Sequence, residues 1–170
     1  MSLGKRLVQS AQKEAALKRP LPLEASSSET LSGGATVTAR AALADADKYT
    51  KMTGEIQVSL EGGTAARGAT AQERAERFAG SATYLSEALG FVETDAGGTA
   101  TVRSTPETMN GRRSPYFEAK VTESEVTLRR FAPSERGPGR ESVPFPLSDD
   151  LLERVVNDAA NALKPRRERI

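Results

Sequence analysis

Arg103, Arg112, Arg113, Arg129, Arg130, Arg136 and Arg140 crowd into one stretch of the chain. A guanidinium is planar and presents its N–H donors as a fork, which matches the paired oxygens of a carboxylate or phosphate. The chemistry on offer is therefore anion recognition. Arg129 and Arg130 are adjacent on a predicted strand, so they point to opposite faces and cannot join one patch through it. Arg112 and Arg113, with Arg136 and Arg140, fall in predicted loops at hairpin ends, where they can converge. Against a nucleic-acid role, the isoelectric point of about 8.0 is low and no RNP-like or helix-turn-helix pattern occurs. Nearby acidic helices also offer these arginines partners within the chain.

The second candidate is the stretch EGGTAARGATA at 61–71, between a predicted strand and a predicted helix. Gly63 and Gly68 have the separation of a phosphate loop, but Ala69 stands where the essential lysine belongs. The dinucleotide fingerprint and its repeated βαβ units are also missing. Thr64, Arg67 and Thr70 remain as groups that could hold an anion at a helix N-terminus. We read the loop instead as a flexible connection, with diverging amides, Thr70 as a cap and Arg67 in solvent. Asp45 and Asp47 start like a calcium loop, yet Tyr49, Thr50 and Ile56 occupy its later positions.

Composition narrows the chemistry further. The 170 residues include no cysteine and no histidine. That removes disulfides, thiolate nucleophiles, zinc sites of the usual ligand types and Ser-His-Asp hydrolysis. No cofactor is predicted. No apolar run approaches the roughly 18 residues a membrane span needs, and the first residues lack the apolar core of a signal peptide. The expectation is a cytoplasmic protein without a membrane span.

Net charge is +1, but it is unevenly placed. Residues 1–19 carry five basic side chains and one acidic, and residues 164–170 carry four and one. Lys5, Arg6, Lys13, Lys18 and Arg19 at one end, with Lys164, Arg166, Arg167 and Arg169 at the other, suit segments that contact a partner.

Those candidates must be positioned by the elements around them. Leu3, Leu7, Val8, Ala11 and Ala15 predict a thin helical stripe over 3–18. Residues 20–34, PLPLEASSSETLSGG, have a linker's composition. Residues 35–43 alternate as a strand, followed by a turn or short helix. Ile56, Val58 and Leu60 alternate with polar residues in a half-buried strand. Thr70 and Glu73 make a capping box for a helix whose stripe runs through Ala75, Phe78, Ala82, Leu85 and Leu89, with Gly90 as its C-cap. Hairpins follow around Ala96-Gly97-Gly98 and Glu123-Ser124-Glu125, the latter joining Tyr116–Thr122 to Val126–Phe131. Residues 132–146 read as a proline-held loop. Ser148 caps a last helix with Leu152, Val155, Val156, Ala159 and Leu163 on its stripe.

The predicted fold is α+β: a mostly antiparallel sheet of about five to six strands, two amphipathic helices on one face, and a basic N-terminal helical arm. The expected organisation is an arm at 1–19, a linker at 20–34, one domain at 35–163 and a basic tail at 164–170. The leading functional expectation is a non-enzymatic binding or adaptor domain that contacts a protein partner, or another copy of itself, through its surface and basic ends. Its candidate contact residues are Lys5, Arg6, Arg67, Arg112, Arg113, Arg136, Arg140, Arg166 and Arg167. One alternative is a module binding nucleic acid or phosphate through the 103–140 arginines. Another is an enzyme acting on a phosphorylated small molecule through Gly62–Thr70.

Overall fold

The computed structural model describes residues 1–47, 49–62, 69–85, 87–105, 108–109 and 112–165, with backbone alone at 108–109 and 112–113. Arg67, Arg166, Arg167 and most of the glycine loop lie outside the described residues. In chain order the elements are α1 (Leu3–Ala16), β1 (Leu23–Thr30), β2 (Thr36–Ala46), β3 (Thr50–Glu61), α2 (Ala71–Ser81), β4 (Leu89–Thr94) and β5 (Ala100–Ser104). There follow β6 (Thr108–Met109), β7 (Arg112–Arg113), β8 (Tyr116–Val121), β9 (Glu125–Pro133), β10 (Arg140–Val143), β11 (Phe145–Ser148) and α3 (Asp149–Leu163).

Among the described residues the fold is α+β, with an open antiparallel sheet and three helices. The sheet has nine strands, ordered β1-β2-β3-β9-β8-β5-β4, with β10 added beside β9 and β11 beside β3. It exceeds the expected five to six because two stretches read as linker and loop are strands. In 20–34, only Leu23 and Ala25 are buried, so β1 shows too little apolar alternation to be recognised. It is nonetheless paired along its length with β2, from Leu23 opposite Leu43 to Thr30 opposite Thr36. In 132–146 the prolines sit where a strand tolerates them. Pro133 ends β9, Pro144 separates β10 from β11, and Pro146 lies in β11, which pairs only with β3 among the described residues. The β9–β10 reversal uses Gly137 and Gly139 at φ of +149° and +109°, which a side chain would resist.

The hairpin of β8 and β9 pairs as expected, from Tyr116 opposite Phe131 to Val121 opposite Val126. Thr70 and Ser148 cap α2 and α3, their hydroxyls accepting from the amides of Glu73 and Leu151 at 3.2 Å. The predicted helical stripe of α2 is too long. The helix ends at Ser81, Leu85 is buried in the turn that follows, and Leu89 and Gly90 open β4. Tertiary contacts outweigh the 3.6-residue period there. Ala82 is fully buried, and the Tyr84 hydroxyl donates to the Asp158 carboxylate of α3 at 2.8 Å. Burial, with that bond, also pushes the Tyr84 phenol upward.

All three helices join one apolar core with the inward side chains of the sheet: Val37 and Ala39, Ile56 and Val58, Val126 and Leu128, Phe117 and Ala119, Ala100 and Val102. The stripe of α1 docks into this core through Leu3, Leu7, Val8 and Ala11. Its approach to α3 is close enough that Gly4 is required. The Gly4 amide donates to Asn157 Oδ1 at 2.8 Å, and a Cβ there would stand 2.2 Å from the Glu153 carbonyl oxygen. α1 is fastened to β1 as well, since Ser27 Oγ donates to the Leu3 carbonyl at 2.9 Å and Ser10 Oγ accepts from the Ser26 amide at 3.1 Å.

Candidate functional site

Alternation along β8 sends Phe117, Ala119 and Val121 into the core, so Tyr116, Glu118 and Lys120 project from the face opposite α1, α2 and α3. The same parity places Arg103 of β5 and Thr127, Arg129 and Phe131 of β9 there. The register sets Arg103 directly opposite Glu118, and Glu118 opposite Arg129. The β9–β10 hairpin then carries Arg140 over this group.

Glu118 is the centre. Although it stands on the open face, it is 2% exposed. Arg103 donates to its Oε2 through Nε and Nη2, at 2.9 and 2.7 Å. Arg140 grips both oxygens, Nη1 to Oε2 at 2.7 Å and Nη2 to Oε1 at 2.9 Å. Lys120 Nζ stands 3.8 Å from Oε1 and donates to Thr101 Oγ1 at 2.7 Å. Arg140 also lies over the Phe131 ring, 3.8 Å from its centroid, and donates to the Tyr116 hydroxyl at 3.0 Å. Beside these groups is a cavity of about 280 Å³ lined by Glu118, Lys120, Thr127, Arg129, Phe131 and Arg140.

Burial by itself pushes the Glu118 carboxyl upward, but the hydrogen bonds from Arg140 and Arg103 win and hold it below its ordinary value. The reciprocal effect raises Arg140, chiefly through the hydrogen bonds to Glu118 and Tyr116. A carboxylate so engaged is held ionised, with its lone pairs spoken for, and is poorly suited to act as a general base. Its physical consequence is order. Two long side chains that would otherwise sample many rotamers are fixed beside two half-buried aromatic rings.

The expected arginines divide. Arg140 and Arg103 meet at Glu118, and Arg129 shares their face, ion-paired with Glu55. Arg130 turns to the other side, 4.5 Å from the Phe117 centroid and 3.5 Å from Glu87, as strand alternation requires. Arg136 stays apart in the exposed β9–β10 turn, its amide donating to Ser134 Oγ at 3.3 Å. Arg112 and Arg113 form β7, which pairs with β6 in a separate two-stranded sheet. The basic ends meet elsewhere: Arg6 and Lys164 lie 3.9 and 3.6 Å from Glu29 of β1, while Lys5 is exposed.

A larger cavity, about 560 Å³, opens between α1, the β2–β3 turn and the start of α3, with Gln12, Asp47, Tyr49 and Asp149 on its wall. Asp47 holds the turn, its Oδ1 accepting from the Thr50 and Tyr49 amides at 2.7 and 2.8 Å, which lowers its pKa. Asp149 pairs with the fully buried Lys51 at 2.8 Å. Gln12 Nε2 donates to the other Asp149 oxygen at 3.1 Å. Among the described residues, no cluster of three or more carboxylates is arranged to hold a metal ion.

The sequence pattern does not single out Glu118, Tyr116 or Phe131. The one signal for Glu118 is the opposite charge of Arg103, and that appears only once β5 is known to pair with β8 across the intervening β6–β7 hairpin. Comparison with protein-family models, curated proteins and solved structures finds no match for this chain.

Proposed function

We propose that the chain is a non-enzymatic binding domain that docks a protein partner on the open face of its sheet. The observation that carries this reading is the Glu118 cluster: guanidinium groups ordered by a buried carboxylate and laid against Tyr116 and Phe131. Arginine and tyrosine dominate the energetics of protein interfaces, because they offer large contact area with little remaining freedom to lose. Arg103 and Arg140 already spend much of their hydrogen-bonding capacity on Glu118, and Arg129 pairs with Glu55. That favours a protein partner over nucleic acid, whose affinity rests on many free cations meeting phosphates. Docked in the core, α1 is less suited to act as a free arm.

The test is affinity retention from the host's extract with the full chain as bait, comparing wild type with Phe131→Glu. A discrete host protein retained by the wild type and lost by the variant is the expected result. Equal retention by both, or retention of nucleic acid alone, would overturn the reading.

A further inference from the structure

We infer that the open-face cavity takes an acidic segment of the protein partner, with Lys120 and Arg129 as its outer cations. This rests on the binding-domain reading above and adds the chemistry of the partner. The lining of the cavity holds three cations, Lys120, Arg129 and Arg140, against the single carboxylate of Glu118. Bringing in the neighbours Arg103, Glu55 and Glu125, whose Oε1 accepts from Thr127 Oγ1 at 3.0 Å, leaves four positive groups against three negative ones. Glu118 already binds both Arg103 and Arg140, and Glu55 pairs with Arg129, so Lys120 and the exposed side of the Arg129 guanidinium are the part left for a ligand. Lys120 and Arg129 are about half exposed, at 48% and 47% of their side chains. Among the described residues, Lys120 has only a neutral hydroxyl at hydrogen-bond distance, since the nearest Glu118 oxygen is 3.8 Å away. The floor between them is Thr127 and the Phe131 ring, which can receive the methylene stem of a glutamate while its carboxylate reaches the cations. Glu118 shows the geometry in miniature, a carboxylate seated among Arg103, Arg140 and Lys120. A second copy docked face to face about a two-fold axis would bring these same cations toward one another, which opposes self-association through this surface.

The probe is fluorescein-labelled decaglutamate, titrated at low and at physiological ionic strength against the full chain. Three proteins are compared: wild type, Lys120→Gln/Arg129→Gln, and a control with both basic ends altered, Lys5→Gln/Lys164→Gln. Thermal midpoints verify folding, which the exposure of these side chains favours. Wild type and control should bind the peptide alike. The face variant should bind about tenfold more weakly, and added salt should weaken binding by the first two more than by the third. Absence of binding by the wild type, or loss in the end variant with retention in the face variant, would overturn this inference. If Phe131→Glu still abolishes capture of a host protein, the binding-domain reading survives that failure. Tighter binding of a ten-residue oligothymidylate than of decaglutamate would overturn both. So would a wild-type dimer that the face variant dissociates, since the face would then serve self-association.

Discussion

On its helix side the sheet is covered by α1, α2 and α3 and filled with small and aliphatic residues, among them Ala39, Val58, Ala119 and Val102, each fully buried. On its other side the same strands carry Tyr116, Lys120, Arg129 and Phe131, half-buried or exposed, around the buried Glu118. The chain crosses from one chemistry to the other at every successive residue. Burial on the first face is non-directional and tolerates exchange between apolar residues of like volume. Order on the second comes from directional, charge-assisted bonds that fix where each guanidinium lies. The difference teaches that one sheet can be held by packing on one face and ordered by directed ion pairs on the other, where we propose recognition, with Glu118 as the point where the open face borrows burial to hold its shape.

Breaking the helix side should give the largest effect. Phe78 is fully buried, and Phe78→Ala should lower unfolding free energy by about 3–5 kcal/mol in denaturant titrations. Gly4→Ala comes next. The new methyl must displace the Glu153 carbonyl, so α1 and α3 must separate, at a cost of about 1–3 kcal/mol that exceeds the roughly 1 kcal/mol gained in helix propensity.

Glu118→Gln probes the junction of the two faces. It removes a buried charge bound by two arginines, but Arg103 and Arg140 are each 38% exposed and can be resolvated. The expected loss is therefore about 1–2 kcal/mol at pH 7. The sign with pH follows from the lowered folded-state pKa. The contribution is present in full above the ordinary value of 4.5 and is lost as pH falls through the lower folded value. Wild type should thus lose part of its advantage over the variant on acidification, measured as the difference between their midpoints. The smallest effect belongs to Arg129→Gln, whose exposed pairing with Glu55 should contribute less than about 1 kcal/mol to stability. A large stability loss there would blur the division between the faces.

How much of this division could be read from the chain depends on where its determinants lie. Caps are local, so Thr70 and Ser148 were legible. Regular alternation made the cores of β3, β8 and β9 legible too. β1 was not, because two inward apolar residues among serines and glutamates resemble a linker until β2 pairs beside them. The end of α2 was misread because Leu85 and Leu89 continue the helical period, whereas their burial or strand placement is decided by α3 and β5. The cluster around Glu118 is the least local feature. It joins residues from β5, β8 and β10, and nothing within any one of those segments distinguishes its charged residues from ordinary surface pairs. Arginine density pointed to the region. Only strand pairing brings Arg103 and Arg140 together at Glu118, while Arg136 stays in the exposed β9–β10 turn.

The claim that recognition belongs to the open face is tested most directly by site-specific photocrosslinking in the host. One chain carries the crosslinking residue at Thr127, on the open face, and a second carries it at Gln72, exposed on α2. The account predicts a discrete protein adduct from position 127 that is absent from position 72. An adduct formed at 72 and missing at 127 would contradict it.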